Sequence, residues 1–121
     1  IIGKFMIEIK IIDNADVLFN KIMDMRDNIN VYKQCPSVDV YDFSEPIYEE
    51  IDNIDIAMKN NQITLKLHIS IRYTDSGDRL DKYELFIDYR SENNVGTISF
   101  KVKTKEQRKL ILKLFEENHI I

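Results

Sequence analysis

The stretch Ile63-Thr64-Leu65-Lys66-Leu67-His68-Ile69-Ser70-Ile71-Arg72-Tyr73 decides the fold class. Apolar side chains occupy every odd position and polar ones every even position. A two-residue period over eleven residues is that of a strand with one face on a core and one in water. It also fixes which residues face which way, since a slip of one position would invert every side chain. Downstream, Thr74, Asp75, Ser76, Gly77 and Asp78 form a turn signal, and Tyr83, Leu85, Ile87 and Tyr89 resume the alternation. The two segments therefore read as a hairpin. After a second turn at Asn93 and Asn94, Ile98, Phe100 and Val102 alternate with Thr97, Ser99 and Lys101, which extends the hairpin to an antiparallel meander.

Upstream, Ile47 to Met58 alternates on both sides of Asp52 and Asn53, where a bulge is expected, and Asn60 and Asn61 suit a tight turn. Val38 to Phe43 reads as a further short strand, limited by Pro46. Asn28 to Pro36 suits a second short helical turn, which Pro36 would end by disfavouring helical geometry at Cys35. At the start, Phe5, Ile7, Ile9 and Ile11 alternate with Met6, Glu8 and Lys10, another strand. Asp13 and Asn14 then offer capping oxygens to a helix carrying Ala15, Leu18, Phe19, Ile22, Met25 and Ile29 at helical spacing and ending near Asn28. At the other end, Thr104 with Gln107 forms a capping box, followed by the stripe Leu110, Ile111, Leu114 and Phe115 over residues 105–118. The expected fold is one α+β domain over residues 1–121. It is an antiparallel sheet of about six strands, with one or two N-terminal helices and a long C-terminal helix on one face.

Composition limits the function classes. The 121 residues are 44% hydrophobic and 31% charged, with 17 basic and 21 acidic side chains and a formal net charge of −4. Such a chain can form one core and is too apolar for a disordered tail. Twenty isoleucines against two alanines point to codon bias, so periodicity rather than propensity carries the assignments. No apolar run approaches the ~20 residues of a membrane helix and no leader is readable, so no membrane span is expected. One cysteine, Cys35, allows no internal disulfide and fits a reducing, cytoplasmic location.

The chemistry-bearing residues are few. His68, His119 and Cys35 show no metal-ligand spacing, so no metal is expected. Three scattered glycines make no phosphate-cradling loop, and neither a cofactor nor a catalytic residue is assigned. Asp75, Asp78 and Asp81 are accounted for by turn chemistry, and the pairs Glu49/Glu50 and Glu116/Glu117 read as solvated faces. The charge is unevenly spread: residues 39–58 hold seven acids and no base, whereas residues 101–113 hold six bases against Glu106. Lys101, Lys103, Lys105, Arg108, Lys109 and Lys113 are therefore candidates for a nucleic-acid patch. The alternative, which the acidic balance favours, is the solvated side of a helix.

The order strand, helix, strands, helix resembles the START-like, helix-grip superfamily of polyketide-cyclase or coenzyme-Q-binding type. Residues 11–45 carry the local likeness: a strand passing through Asp13, Asn14 and Ala15 into a helix, then Tyr32 and Pro36 before an extended segment. The resemblance implies a curved sheet gripping the last helix around an apolar ligand. On that reading Leu65, Leu67, Ile69, Tyr73, Tyr83, Leu85, Ile87, Phe100, Leu110, Leu114 and Phe115 line a lipid-like, ligand-binding cavity, and tyrosine hydroxyls orient a hydrophobic or amphipathic small molecule. The leading expectation is a non-enzymatic binding domain. A protein-interaction or homodimer-forming domain with a solid core is the alternative, and a cyclase- or hydrolase-type enzyme with scattered pocket residues stays open.

Overall fold

A computed structural model describes residues 5–28, 34–36, 46–93 and 95–121. The elements are β1 (Phe5–Ile11), α1 (Ala15–Asp27), β2 (Gln34–Pro36), β3 (Ile47–Lys59), β4 (Gln62–Tyr73), β5 (Arg79–Glu92), β6 (Val95–Val102) and α2 (Lys105–Glu117). All neighbouring strands are antiparallel, in the spatial order β1-β6-β5-β4-β3-β2. The strand expected at Val38 to Phe43 lies outside the described residues, as do residues 29–33 of the expected second helical turn. Residues 34–36 of that turn are extended instead.

The expectation of about six strands under a long last helix is corrected in two respects. Five strands of 7 to 14 residues carry the sheet, and Gln34–Pro36 adds only a three-residue ladder to β3. Nor is the last helix long: α1 and α2 have 13 residues each. Thirteen residues rise about 20 Å, whereas the 14 residues of β5 extend over roughly 45 Å. One such helix cannot cover the sheet, and the two share the work. The apolar stripes of α1 (Ala15, Leu18, Ile22, Met25) and α2 (Leu110, Ile111, Leu114, Phe115) join the inward side chains of the strands in one buried cluster. Within it the Phe100 and Phe115 rings meet edge to face, with centroids 6.1 Å apart. Burying a Leu, Ile or Met side chain there contributes about 1.5–3 kcal/mol.

The expected bulge forms where pairing shifts between Ile51 and Asn53. The extra residue, Asp52, resets the alternation, so that Ile51 before it and Ile54 after it are both buried on the same face. Without the shift one of them would face outward. Asp52 itself accepts a hydrogen bond from the Ser70 hydroxyl on the opposite face.

Both helices start at identifiable capping groups. Asn14 Oδ1 accepts from Val17 N at 3.0 Å, and Thr104 Oγ1 from Gln107 N at 3.1 Å. At the end of α2, His119 N donates to Glu116 O (3.1 Å) and Ile120 N to Phe115 O (2.8 Å), with His119 at φ 60°. That is a Schellman closure, and Ile120 is buried beneath it. A histidine bears a steric cost in the left-handed region that glycine does not. His119→Gly should therefore stabilise the fold by about 0.5–1 kcal/mol, read as a rise in the denaturation midpoint at unchanged m-value. The same corner is tied inward by Lys21, whose Nζ donates to Asp13 Oδ2 (2.7 Å) and to the His119 carbonyl (3.0 Å).

Candidate functional site

β5 and β6 pair from Glu92/Val95 as far as Ile87/Phe100. β6 continues to Val102 against β1, and β5 continues back to Arg79 against β4. Past the last pair, no β5–β6 ladder is present among the described residues, and the two strands part. A cleft of about 290 Å³ opens between them, lined by Met6, Tyr83, Glu84, Leu85, Phe86, Asp88, Ser99, Phe100, Lys101, Lys103 and Gln107. It draws on both faces of the sheet, because Leu85 and Phe100 belong to the inner face and Phe86, Ser99 and Lys101 to the outer one.

Gln107, in the first turn of α2, organises the inner end of the cleft. Its Nε2 donates to Tyr83 Oη at 2.7 Å and to Glu49 Oε1 at 3.2 Å, while its Oε1 accepts from the Lys103 backbone N–H at 2.8 Å. The capping box expected at Thr104 and Gln107 thus closes one residue early: Gln107 reaches the N–H of Lys103 rather than that of the cap residue. Lys103 Nζ lies 5.9 Å from the Tyr83 ring centroid, within cation–π range. The cleft therefore has apolar sides (Met6, Leu85, Phe86, Phe100), a hydrogen-bonded inner end (Tyr83, Gln107) and, at its border, two lysines (Lys101, Lys103) and two acids (Glu84, Asp88).

Glu49 was misread from its residue type. It is 2% exposed on the inner face of β3, not a solvated carboxylate, and its neighbour Glu50 is half-buried with Oε2 3.6 Å from Arg72 Nε. The signal was present in the spacing, since Ile47, Glu49 and Ile51 share one parity. A carboxylate on an apolar face needs a buried partner, and Gln107, also buried, is one.

Of the eleven expected cavity residues, Leu65, Leu67, Ile69, Leu85, Ile87, Phe100, Leu110, Leu114 and Phe115 are buried, and Tyr73 and Tyr83 are half-buried. Most of the nine retain 2% or less of their surface. Walls of a water-accessible chamber would keep more, so these side chains pack on one another. Tyr83, Leu85 and Phe100 are the three that reach the cleft. Tyr89, on the same apolar face of β5, has a structural bond: its hydroxyl donates to the Asp13 carbonyl at 2.9 Å.

The six basic candidates are all exposed and fall on two elements, the end of β6 with the residue after it and α2. Lys101 and Lys103 border the cleft, whereas Lys105, Arg108, Lys109 and Lys113 lie off the buried stripe of α2, with Lys113 3.9 Å from Glu117. Among the described residues, no three His, Cys, Asp or Glu side chains converge on a metal-sized site. No helix there is long and apolar enough to cross a membrane.

A second hollow, of about 610 Å³, is lined by Asp52, His68, Ile69, Arg79, Lys82, Tyr83, Glu84 and Phe86. Its histidine stands between two carboxylates, Glu84 of the same lining and Asp55 outside it. His68 Nε2 is 2.7 Å from Asp55 Oδ2, and its Nδ1 is 3.9 Å from Glu84 Oε1. The His68 hydrogen bond, with smaller help from the charges of His68 and Lys66 against slight desolvation, holds the Asp55 carboxyl below the ordinary aspartate range. A carboxyl depressed in this way supports the fold above its unfolded pKa and loses that support as pH falls through the folded value. In His68→Ala, the acid midpoint of the Asp55 carboxyl, followed by NMR, should rise toward that of a free aspartate. An unmoved midpoint would show that the contact is absent in solution.

Comparison with protein-family models, curated proteins and solved structures found no match to this chain.

Proposed function

We propose that the chain is a small-molecule-binding domain whose ligand is a small amphipathic anion, held in the cleft between β5, β6 and the first turn of α2. The observation that carries this reading is the parting of β5 from β6 over a buried amide, Gln107, that already bridges a tyrosine and a carboxylate. Ligand sites combine apolar walls with a few fixed polar groups, and this cleft has both. Its 290 Å³ stands at the lower end of the ~300–1,000 Å³ of such sites, which suits one ring system or a short acyl chain. Lys101, Lys103 and the positive end of α2 favour an anionic head. Two acids share the lining: Glu84 is 3.9 Å from Lys66 and so partly offset, and Asp88 stands on the outer face opposite Ser99.

The test uses 1-anilinonaphthalene-8-sulfonate as a fluorescent apolar anion and octanoate as competitor. Saturable fluorescence that octanoate displaces is expected. Joint replacement of Lys101 and Lys103 by alanine should weaken binding roughly fivefold, the equivalent of ~1 kcal/mol, and Ser99→Phe should block it by filling the cleft. Binding that never saturates, or that is equal in all variants at equal melting temperature, would reject the reading. Displacement by a short oligonucleotide, with log affinity falling against log salt, would favour the nucleic-acid alternative instead.

A further inference from the structure

β1 forms one edge of the sheet, and among the described residues the three large apolar side chains most exposed to solvent lie on it or next to its end: Ile12 (99%), Phe5 (60%) and Met6 (53%). An open edge offers a row of backbone donors and acceptors to another strand. We propose that the occupant is a second copy of this chain, joined antiparallel through β1 about a two-fold axis at Ile9, so that the two sheets become one.

The register follows from the side chains. A two-fold axis perpendicular to the sheet keeps both helical layers on one side and pairs only residues that share a face. Centring the axis on Glu8 would pair the most residues but set Glu8 against Glu8, and centring it on Lys10 would set Lys10 against Lys10. Like charges directly opposite one another are unfavourable. With Ile9 on the axis, Glu8 of each copy faces Lys10 of the other, giving two opposite-charge pairs on the outer face. Ile7 then faces Ile11 on the inner face, and Met6 faces the fully exposed Ile12. Over residues 6–12 every pair is then apolar with apolar or acid with base, and Phe5 lies past that stretch, opposite Asp13, which is already bonded to Lys21. Lys10 Nζ donates to Thr97 Oγ1 at 2.9 Å, and an ammonium with three donors can keep that bond while accepting a carboxylate neighbour. The arrangement places Ile12 of the second copy beside Met6, at the border of the cleft, without using any group that organises its inner end.

Sedimentation equilibrium of the whole chain across a dilution series tests the proposal. A reversible dimer is expected. Glu8→Lys should weaken it roughly tenfold by turning two favourable pairs into two repulsive ones. Lys10→Glu should act alike, and the double exchange E8K/K10E should restore the dimer to near the original affinity. The register is tested separately in a Cys35→Ser background: Met6→Cys combined with Ile12→Cys should yield a disulfide-linked dimer on mild oxidation, and either cysteine alone should not. A chain that stays monomeric throughout, a dimer indifferent to the charge exchanges, or equal cross-linking by the single cysteines would each overturn it. Unchanged circular dichroism spectra of these surface variants would confirm that association, not folding, is being read.

Discussion

Replacing Gln107 by leucine is expected to destabilise the fold by about 2–4 kcal/mol, although the two side chains are close in volume. The amide serves three partners at once: the Glu49 carboxylate, the Tyr83 hydroxyl and the N–H of Lys103. Leucine would leave Glu49, 2% exposed, without that donor, in surroundings where water is a poor substitute. It would also leave the N–H of Lys103 without its acceptor. The measurement is urea denaturation of wild type, Gln107→Leu, Tyr83→Phe and the double variant. Tyr83→Phe alone should cost about 1 kcal/mol and much less once Gln107 is gone, because both changes break the same hydrogen bond. Strict additivity would show that the Tyr83–Gln107 bond contributes nothing.

A similar cost, about 1–3 kcal/mol or a fall of roughly 3–6 °C in melting temperature per kcal/mol, is expected for Gly96→Ala. A Cβ at Gly96 would lie 2.6 Å from Tyr89 Cε2 and 2.8 Å from its hydroxyl oxygen. The ring cannot swing away cheaply. Tyr89 is 1% exposed and its hydroxyl is anchored to the Asp13 carbonyl across the β1–α1 turn. Tyr89 thus lies over Gly96 and holds the junction of β1 and α1 against the sheet, an arrangement that only a residue without Cβ allows. In a Tyr89→Leu background the alanine should cost little, since the shorter side chain does not reach across. Calorimetry of the four proteins gives the cycle, and an alanine equally harmful in both backgrounds would place the strain elsewhere.

Alternation alone was enough to read the strands Phe5–Ile11 and Gln62–Tyr73, because each has a wet face and a dry one. The bulge was legible for a related reason. Two successive polar residues, Asp52 and Asn53, interrupt a run of isoleucines that otherwise keeps its face. The bounds of α2 were legible to within a residue, but not that 13 helical residues fall short of the strands they lie against, because a helix rises less than half as far per residue as a strand. Glu49 was hidden by its type: its position in the alternation was right, but a carboxylate is expected outside unless its partner is known, and Gln107 lies 58 residues away. The cleft was not legible at all. Whether two strands with good alternating patterns stay paired to their ends depends on the twist and curvature of the whole sheet.

The pairing of β1 with β6 has a consequence for how the chain assembles. β3 to β6 are joined in sequence order by short turns, so their ladders can close while each strand is made. β1, the earliest of the described strands to be synthesised, is hydrogen-bonded along its whole length to the latest of them. Contacts between residues so far apart carry a large loop-closure cost and form slowly. During synthesis β1 must therefore wait for β6, and for that interval the segment Phe5–Ile11 presents two open edges instead of one. The slowest step in folding and the period of greatest exposure to aggregation should then coincide, both set by the arrival of the strand that begins at Val95.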